Sequence, residues 1–343
     1  MGELLCFSLA YMNVGLAQDA SIEYTVQKFN QEKAFQGSVL VSKQSKIIYR
    51  GAVGHADIEK QLDNKSNSKY LIGPLTKSFT AVMTLQGIEY GELTVLESID
   101  SQFPELKLNN LSAVTLHHLL SNTSGIRDFV PKQKKNQTAT DALLAGIRKA
   151  KFDSLPGARE RNCNACYMLL AHLLEHKTQT PFNELLKTLI LTPLNMKNTY
   201  SYTDPDKKTG RSLSYQNKLF GGLIPKEEPN LHLATGALDL ISTVDDLYLF
   251  ASGLINEQLL SNTMQTSMWN VMTGSGEFGL AYGVRLVEMP DGSKAQVFGG
   301  EMTGASAVIL RSDIHQIVIV ILSNVGDPVM DLAMELFTLT QTR

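Results

Sequence analysis

His172-Leu173-Leu174-Glu175-His176 sets two imidazoles four residues apart with a carboxylate between them. On a helix, positions i and i+4 share a face, so the pair could hold zinc. No third ligand is evident in the sequence, and a surface or partly buried histidine pair is the plainer reading. Cys163 and Cys166 form a single C-x-x-C. Such a pair could be a redox dithiol, half of a metal site, or two structural thiols. The absence of a second pair favours structural thiols, and export would make a disulfide available to them. Lys132, Lys134 and Lys135 follow Pro131 in a polar stretch and read as a solvated loop. Lys77 stands at the head of an apolar run that ends near Gly91.

The elements that must position these groups follow from the pattern. Residues 21–35 suit a helix, with Ile22, Tyr24, Val26 and Phe29 partly periodic. Gly37–Ser42 and Ile47–Val53 are β-rich, and Lys43–Lys46 reads as their hairpin connection. Residues 75–260 are mostly helical in pattern, with loops at Ser121–Gly125, Pro131–Thr138 and Asp204–Ser214. Strands return at Gly279–Glu288, Ala295–Phe298, Ala305–Leu310 and Gln316–Leu322, and a last helix covers 328–340. Strands at both ends around a helical middle imply one sheet built from both termini. The expected units are a discontinuous α/β domain, 19–72 with 265–343, and a helical domain, 73–264, with a cleft between them.

Composition narrows the function. The chain has 343 residues, 43% hydrophobic and 19% charged, enough apolar content for a core. A net charge of −3 leaves no basic field for nucleic acid. No apolar run after the first 25 positions is long enough to span a membrane. Residues 4–17 form a short apolar stretch ending in Gly15-Leu16-Ala17, a small-x-small pattern suited to signal peptidase. Glu3 stands where a positive residue is usual. Residues 1–18 are thus expected to be a leader and the protein periplasmic or secreted.

Ile72-Gly73-Pro74-Leu75-Thr76-Lys77-Ser78-Phe79-Thr80 resembles the first motif of the serine β-lactamase and penicillin-binding-protein superfamily. The match is to the class C β-lactamase, D-alanyl-D-alanine carboxypeptidase and esterase branch. That motif is S-x-x-K at a helix start, with serine as nucleophile and lysine helping to remove its proton. Leu116–Gly125 resembles H-L-L-x-x-T-S-G, Pro193–Met196 resembles P-L-G-M, and Ser242–Leu247 resembles S-T-x-x-D-L. Gly299–Gly304 resembles the third motif with its trailing glycine. The segments run in the family's order from about 22 to 343. The resemblance implies an α+β fold of β-lactamase/transpeptidase type, an antiparallel sheet flanked by terminal helices plus an all-helical domain. It implies no cofactor and no metal.

The chemical positions depart from the family. Pro74 stands at the nucleophile, Asn162 at the second-motif tyrosine, and Phe298 at the third-motif histidine or lysine, while Lys77, Asn164 and Gly300 are kept. Proline at a first helical position costs the fold little. It has no hydroxyl to acylate, and it lacks the backbone N–H that the family uses in its oxyanion hole. An amide at 162 does not titrate near neutral pH. Phe298 is expected to put an apolar ring at the cleft rim. Lys77, Asn164, Gly300 and Glu301 are the expected ligand-binding residues. Ser78, Ser121 and Ser124 are expected to serve structure. A non-catalytic protein binding a peptide, a cell-wall fragment or a protein partner follows. The alternative is a residual or altered hydrolase with a different nucleophile.

Overall fold

The computed structural model describes residues 20–204, 210–217, 222–227, 230–270, 278–326 and 329–341. The expected leader, and residues 205–209 of the expected loop Asp204–Ser214, lie outside the described residues.

Helix α1 spans residues 20–33. Ile22, Val26 and Phe29 are buried at the i, i+4, i+7 spacing of one face, while Tyr24 is 71% exposed. Strands β1 (Gly37–Lys43) and β2 (Lys46–Val53) follow as a hairpin. Gln44 and Ser45 turn it with φ of 50° and 61°, the handedness that a two-residue hairpin needs. The remaining strands come from the other end of the chain: β3 (Phe278–Leu280), β4 (Arg285–Glu288), β5 (Lys294–Met302), β6 (Ala305–Ser312) and β7 (Ile317–Ser323). The sheet is antiparallel with order β3-β4-β5-β6-β7-β1-β2.

The alternation along β7 explains its unbroken apolar run. Val318, Val320 and Leu322 join the core beneath the helical segment, whereas Ile317, Ile319 and Ile321 join the core beneath α1 and the last helix, α6 (Val329–Gln341). A central strand covered on both faces needs apolar side chains in both directions. Between the two sheet portions lie α2 (Thr76–Glu89), α3 (Leu116–Leu120), α4 (Asn164–Thr178) and α5 (Val244–Ile255), along with shorter helices. Their core is continuous with the inner face of the sheet.

Two expectations about elements need correction. The run Gly279–Glu288 is not one strand. Ala281–Val284 turns between β3 and β4, with Gly283 at φ +68° and the Ala281 N–H donating to the Val284 carbonyl at 2.9 Å. A Cβ at Gly283 would lie 2.8 Å from the Ala81 Cβ, so only glycine lets this turn approach α2. The helical middle also contains a small sheet of Tyr70–Leu71, Leu240–Ser242 and Tyr200–Ser201. Two- and three-residue strands carry too little periodicity to be seen in a sequence.

Candidate functional site

A short 3-10 turn, Gly73–Leu75, leads directly into α2. Pro74 sits in that turn, where a missing N–H breaks no helical hydrogen bond. One helical turn of spacing then puts Lys77 on the same side. The residue is buried, 7% exposed, and its ammonium donates to the Asn162 Oδ1 at 2.6 Å. The Nζ also lies over the Tyr167 ring, 5.5 Å from its centroid. Burial pushes the Lys77 pKa down from 10.5 to about 8. The charge of Arg285 pushes the same way, and that of Asp128 opposes it.

Asn162 is held by the segment on either side of it. The Arg161 N–H donates to the Asn122 carbonyl, and the Cys163 N–H to the Asn122 side-chain oxygen. Asn122 adopts φ 54°, so the Ser121–Gly125 loop curls beneath residues 161–163. Cys163 caps α4 and is joined to Cys166 by a disulfide. The sequence pattern favoured two thiols, whereas the two sulfurs are bonded to each other.

Gly300 faces Pro74 from β5. A Cβ at Gly300 would lie 2.6 Å from the Pro74 Cβ, a contact that two rigid groups cannot relieve by rotating. Gly300→Ala is expected to cost about 1–3 kcal/mol, the range for forcing extra volume into a packed site. A urea midpoint unchanged from the parent protein would disprove this contact.

Pro74, Lys77, Asn162, Gly300 and Glu301 line one cavity of about 770 Å³. Two of the expected site residues do not. Asn164 opens α4, and its amide donates to the Asp128 Oδ2 at 3.0 Å, while the other Asp128 oxygen accepts from the Ala165 N–H. The helix start claims Asp128 as a cap, and Asn164 is drawn to it and away from Lys77. Phe298 is also not at the rim. It is fully buried and packs edge-on against Phe250, with ring centroids 6.2 Å apart. Phe298 pairs with Ile309 in the ladder, which commits its side chain to the face packed on the helices.

Arg285, Glu160 and Arg161 also line the cavity, and the sequence reading missed them. The charged run Arg159-Glu160-Arg161 just before Asn162 was an available signal. Arg285 had none, because only the turn at Gly283 aims β4 toward the cavity. Burial raises the Glu160 pKa, and Arg285 pulls it back.

The serines are used by the fold. Ser78 donates to the Gly283 carbonyl at 2.6 Å and Ser121 to the His117 carbonyl at 2.6 Å. Ser124 is buried beside Cys166 and accepts the Ile126 N–H. His172 and His176 turn to different carboxylates, Glu175 and Glu105. Among the described residues no three His, Cys, Asp or Glu side chains group to hold a metal. No helix among them is long and apolar enough to cross a membrane.

Known proteins share this architecture. The structure of the octameric penicillin-binding protein homologue from Pyrococcus abyssi superposes with TM-score 0.81 at 24% identity, covering 94% of this chain and 77% of that one. D-amino acid amidase from Ochrobactrum anthropi SV3 does so with TM-score 0.83 at 19% identity, covering 95% and 99%. These likenesses concern the fold. Protein flp of Staphylococcus aureus (strain MRSA252) is 25% identical over 266 residues, 76% of this chain and 52% of its own length. The Beta-lactamase family model matches residues 22–339, nearly the whole described chain, and the protein belongs to that family.

Proposed function

We propose that this protein binds a ligand in the cleft of a β-lactamase fold without turning it over. The observation that carries the reading is the meeting of Pro74 and Gly300. A pyrrolidine ring occupies the start of α2, and the strand opposite touches it. Acyl transfer needs an activated hydroxyl there and a donor for the oxyanion. Proline supplies neither, and loss of one oxyanion donor alone typically costs about 10²–10³ in rate. Lys77 is bonded to an amide that cannot take up a proton. The ligand is a peptide, a cell-wall fragment or a segment of a protein partner. The serines that could offer a different nucleophile, Ser78, Ser121 and Ser124, are each bonded elsewhere, and none lines the cavity.

Export belongs to the same reading. Residues 1–18 have the pattern of a leader, and the Cys163–Cys166 disulfide suits an oxidising compartment.

Intact mass after incubation with a fluorescent penicillin and with a fluorophosphonate tests both parts. The expected spectrum shows no adduct and, for protein recovered from an exporting host, a chain lacking the leader. A stoichiometric adduct would sink the non-catalytic reading. Pro74→Ser is expected to give at most slow acylation through Lys77 and no multiple turnover, because Asn162 beside Lys77 has no titratable group and Phe298 lies in the core. Rapid turnover of a chromogenic cephalosporin by that single variant would count against it.

A further inference from the structure

The cavity around Lys77 does not end at the family's motif positions. It continues past Gly299 and Gly300, where Val287, Val297, Val308, Val329 and Met330 line it. These residues belong to the core on the outer face of the sheet, under α1 and α6, or pack against it. The passage has a cause in strand pairing. β4 pairs with Lys294–Val297 of β5 and no further. From Phe298 to Met302, β5 has β6 on one side and, among the described residues, no strand on the other. Two glycines at that free edge leave no side chain to separate the faces. The result is one space with a charged half and an apolar half, and its volume falls within the range of small-molecule sites.

The charged half is nearly balanced. Lys77, Arg285 and Arg161 face Glu160 and Glu301. Arg161 is already paired with Asp153. Arg285 has no ion pair within 4 Å among the described residues, and it is close enough to Lys77 for each to feel the other's charge. Two cations with two carboxylates nearby leave this half without net charge, so a head of one negative charge is tolerated only when seated between the cations, and a doubly charged one is disfavoured.

We propose that the cleft takes a single-chain amphiphile, with a carboxylate head between Lys77 and Arg285 and a hydrocarbon chain running over Gly299–Gly300 to Val308 and Met330. The proposal rests on the reading of the cleft as a binding site and names the chemical class of its ligand. Apolar burial supplies the affinity, and the cations fix which end of the ligand lies at Lys77.

Isothermal titration calorimetry with straight-chain carboxylates from hexanoate to tetradecanoate, each below its micelle concentration, tests it. The expected result is 1:1 binding that tightens about fourfold per methylene until the apolar half is full. Arg285→Gln, at an exposed position, should weaken every chain length by one common factor of about 10 or more. Met330→Glu, at a half-buried position, should weaken the long chains and leave hexanoate unchanged. Affinity independent of chain length would overturn the proposal. So would decanol binding as tightly as decanoate, decyl phosphate binding more tightly, or Met330→Glu leaving the long chains unaffected. Alkyl carboxylates offer no bond to cleave, so this result is independent of the covalent labelling. Adduct formation and absent chain binding are separate failures.

Discussion

Phe298→Ala is expected to cost about 3–5 kcal/mol of stability, the range for removing a buried aromatic side chain. The ring has no exposed surface and completes a stack in which Phe250 packs edge-on against it and face to face with Phe79, at 4.2 Å between those two centroids. Whole-domain stability is commonly about 5–15 kcal/mol, so the loss is a large share of it. Phe298→His, which introduces the residue type that the resemblance implies for this position, is expected to be costly as well. Each imidazole nitrogen left unpaired against Phe250 costs about 1–3 kcal/mol. Urea denaturation followed by tryptophan fluorescence reads both variants, since Trp269 is the only tryptophan. A histidine variant as stable as the parent would mean that position 298 reaches the cavity and its polar groups. This single measurement therefore decides whether the third motif was merely emptied or was absorbed into the core.

Lys77→Met is expected to stabilise the protein at pH 7 and to change how its stability varies with pH. The folded pKa of Lys77 is about 8, below the ordinary 10.5. Between those values the unfolded chain holds a proton that the folded chain has released. Stability therefore climbs as pH rises from about 8 to 10.5, and below 8 the whole penalty is present. A shift of this size corresponds to about 3 kcal/mol. Methionine removes the buried charge and keeps most of the volume, while the exposed Asn162 amide it abandons can bond to water. Denaturation midpoints at pH 7 and pH 10 are the check. The variant should gain most at pH 7, and its own midpoint should rise less between the two values. A destabilised variant at pH 7 would show that the Lys77–Asn162 bond outweighs the cost of burying the ammonium. The lysine would then be kept as a structural strut. The expected outcome instead makes it a group retained at a cost to stability, as functional groups are.

Much of the fold could be read in the chain. The β-rich runs Gly37–Ser42 and Ile47–Val53 and the apolar run Ile317–Leu322 marked strands, and the spacing of Ile22, Val26 and Phe29 marked a helix face. These signals are legible because a core-facing strand or helix must repeat its apolar residues at its own period. The turn at Gly283 was lost inside an apolar run, and the sheet of Tyr70–Leu71, Leu240–Ser242 and Tyr200–Ser201 was lost to the helical pattern around it. Both depend on partners distant in sequence.

The site divides along the same line. Sequence by itself determined which chemical groups are present: a pyrrolidine ring at Pro74, an amide at Asn162 and an amine at Lys77. Residue type decides whether an atom can donate, accept or titrate, and no packing alters that. Only the tertiary structure decided where those groups point. Phe298 and Asn164 were both expected in the cleft, yet one enters the core and the other turns to Asp128. Strand register sets the first, because successive residues face opposite sides and a shift of one residue exchanges them. A helix start sets the second, because its free N–H groups hold the carboxylate that Asn164 follows. Arg285 reached the cavity the same way, through a turn that a glycine permits.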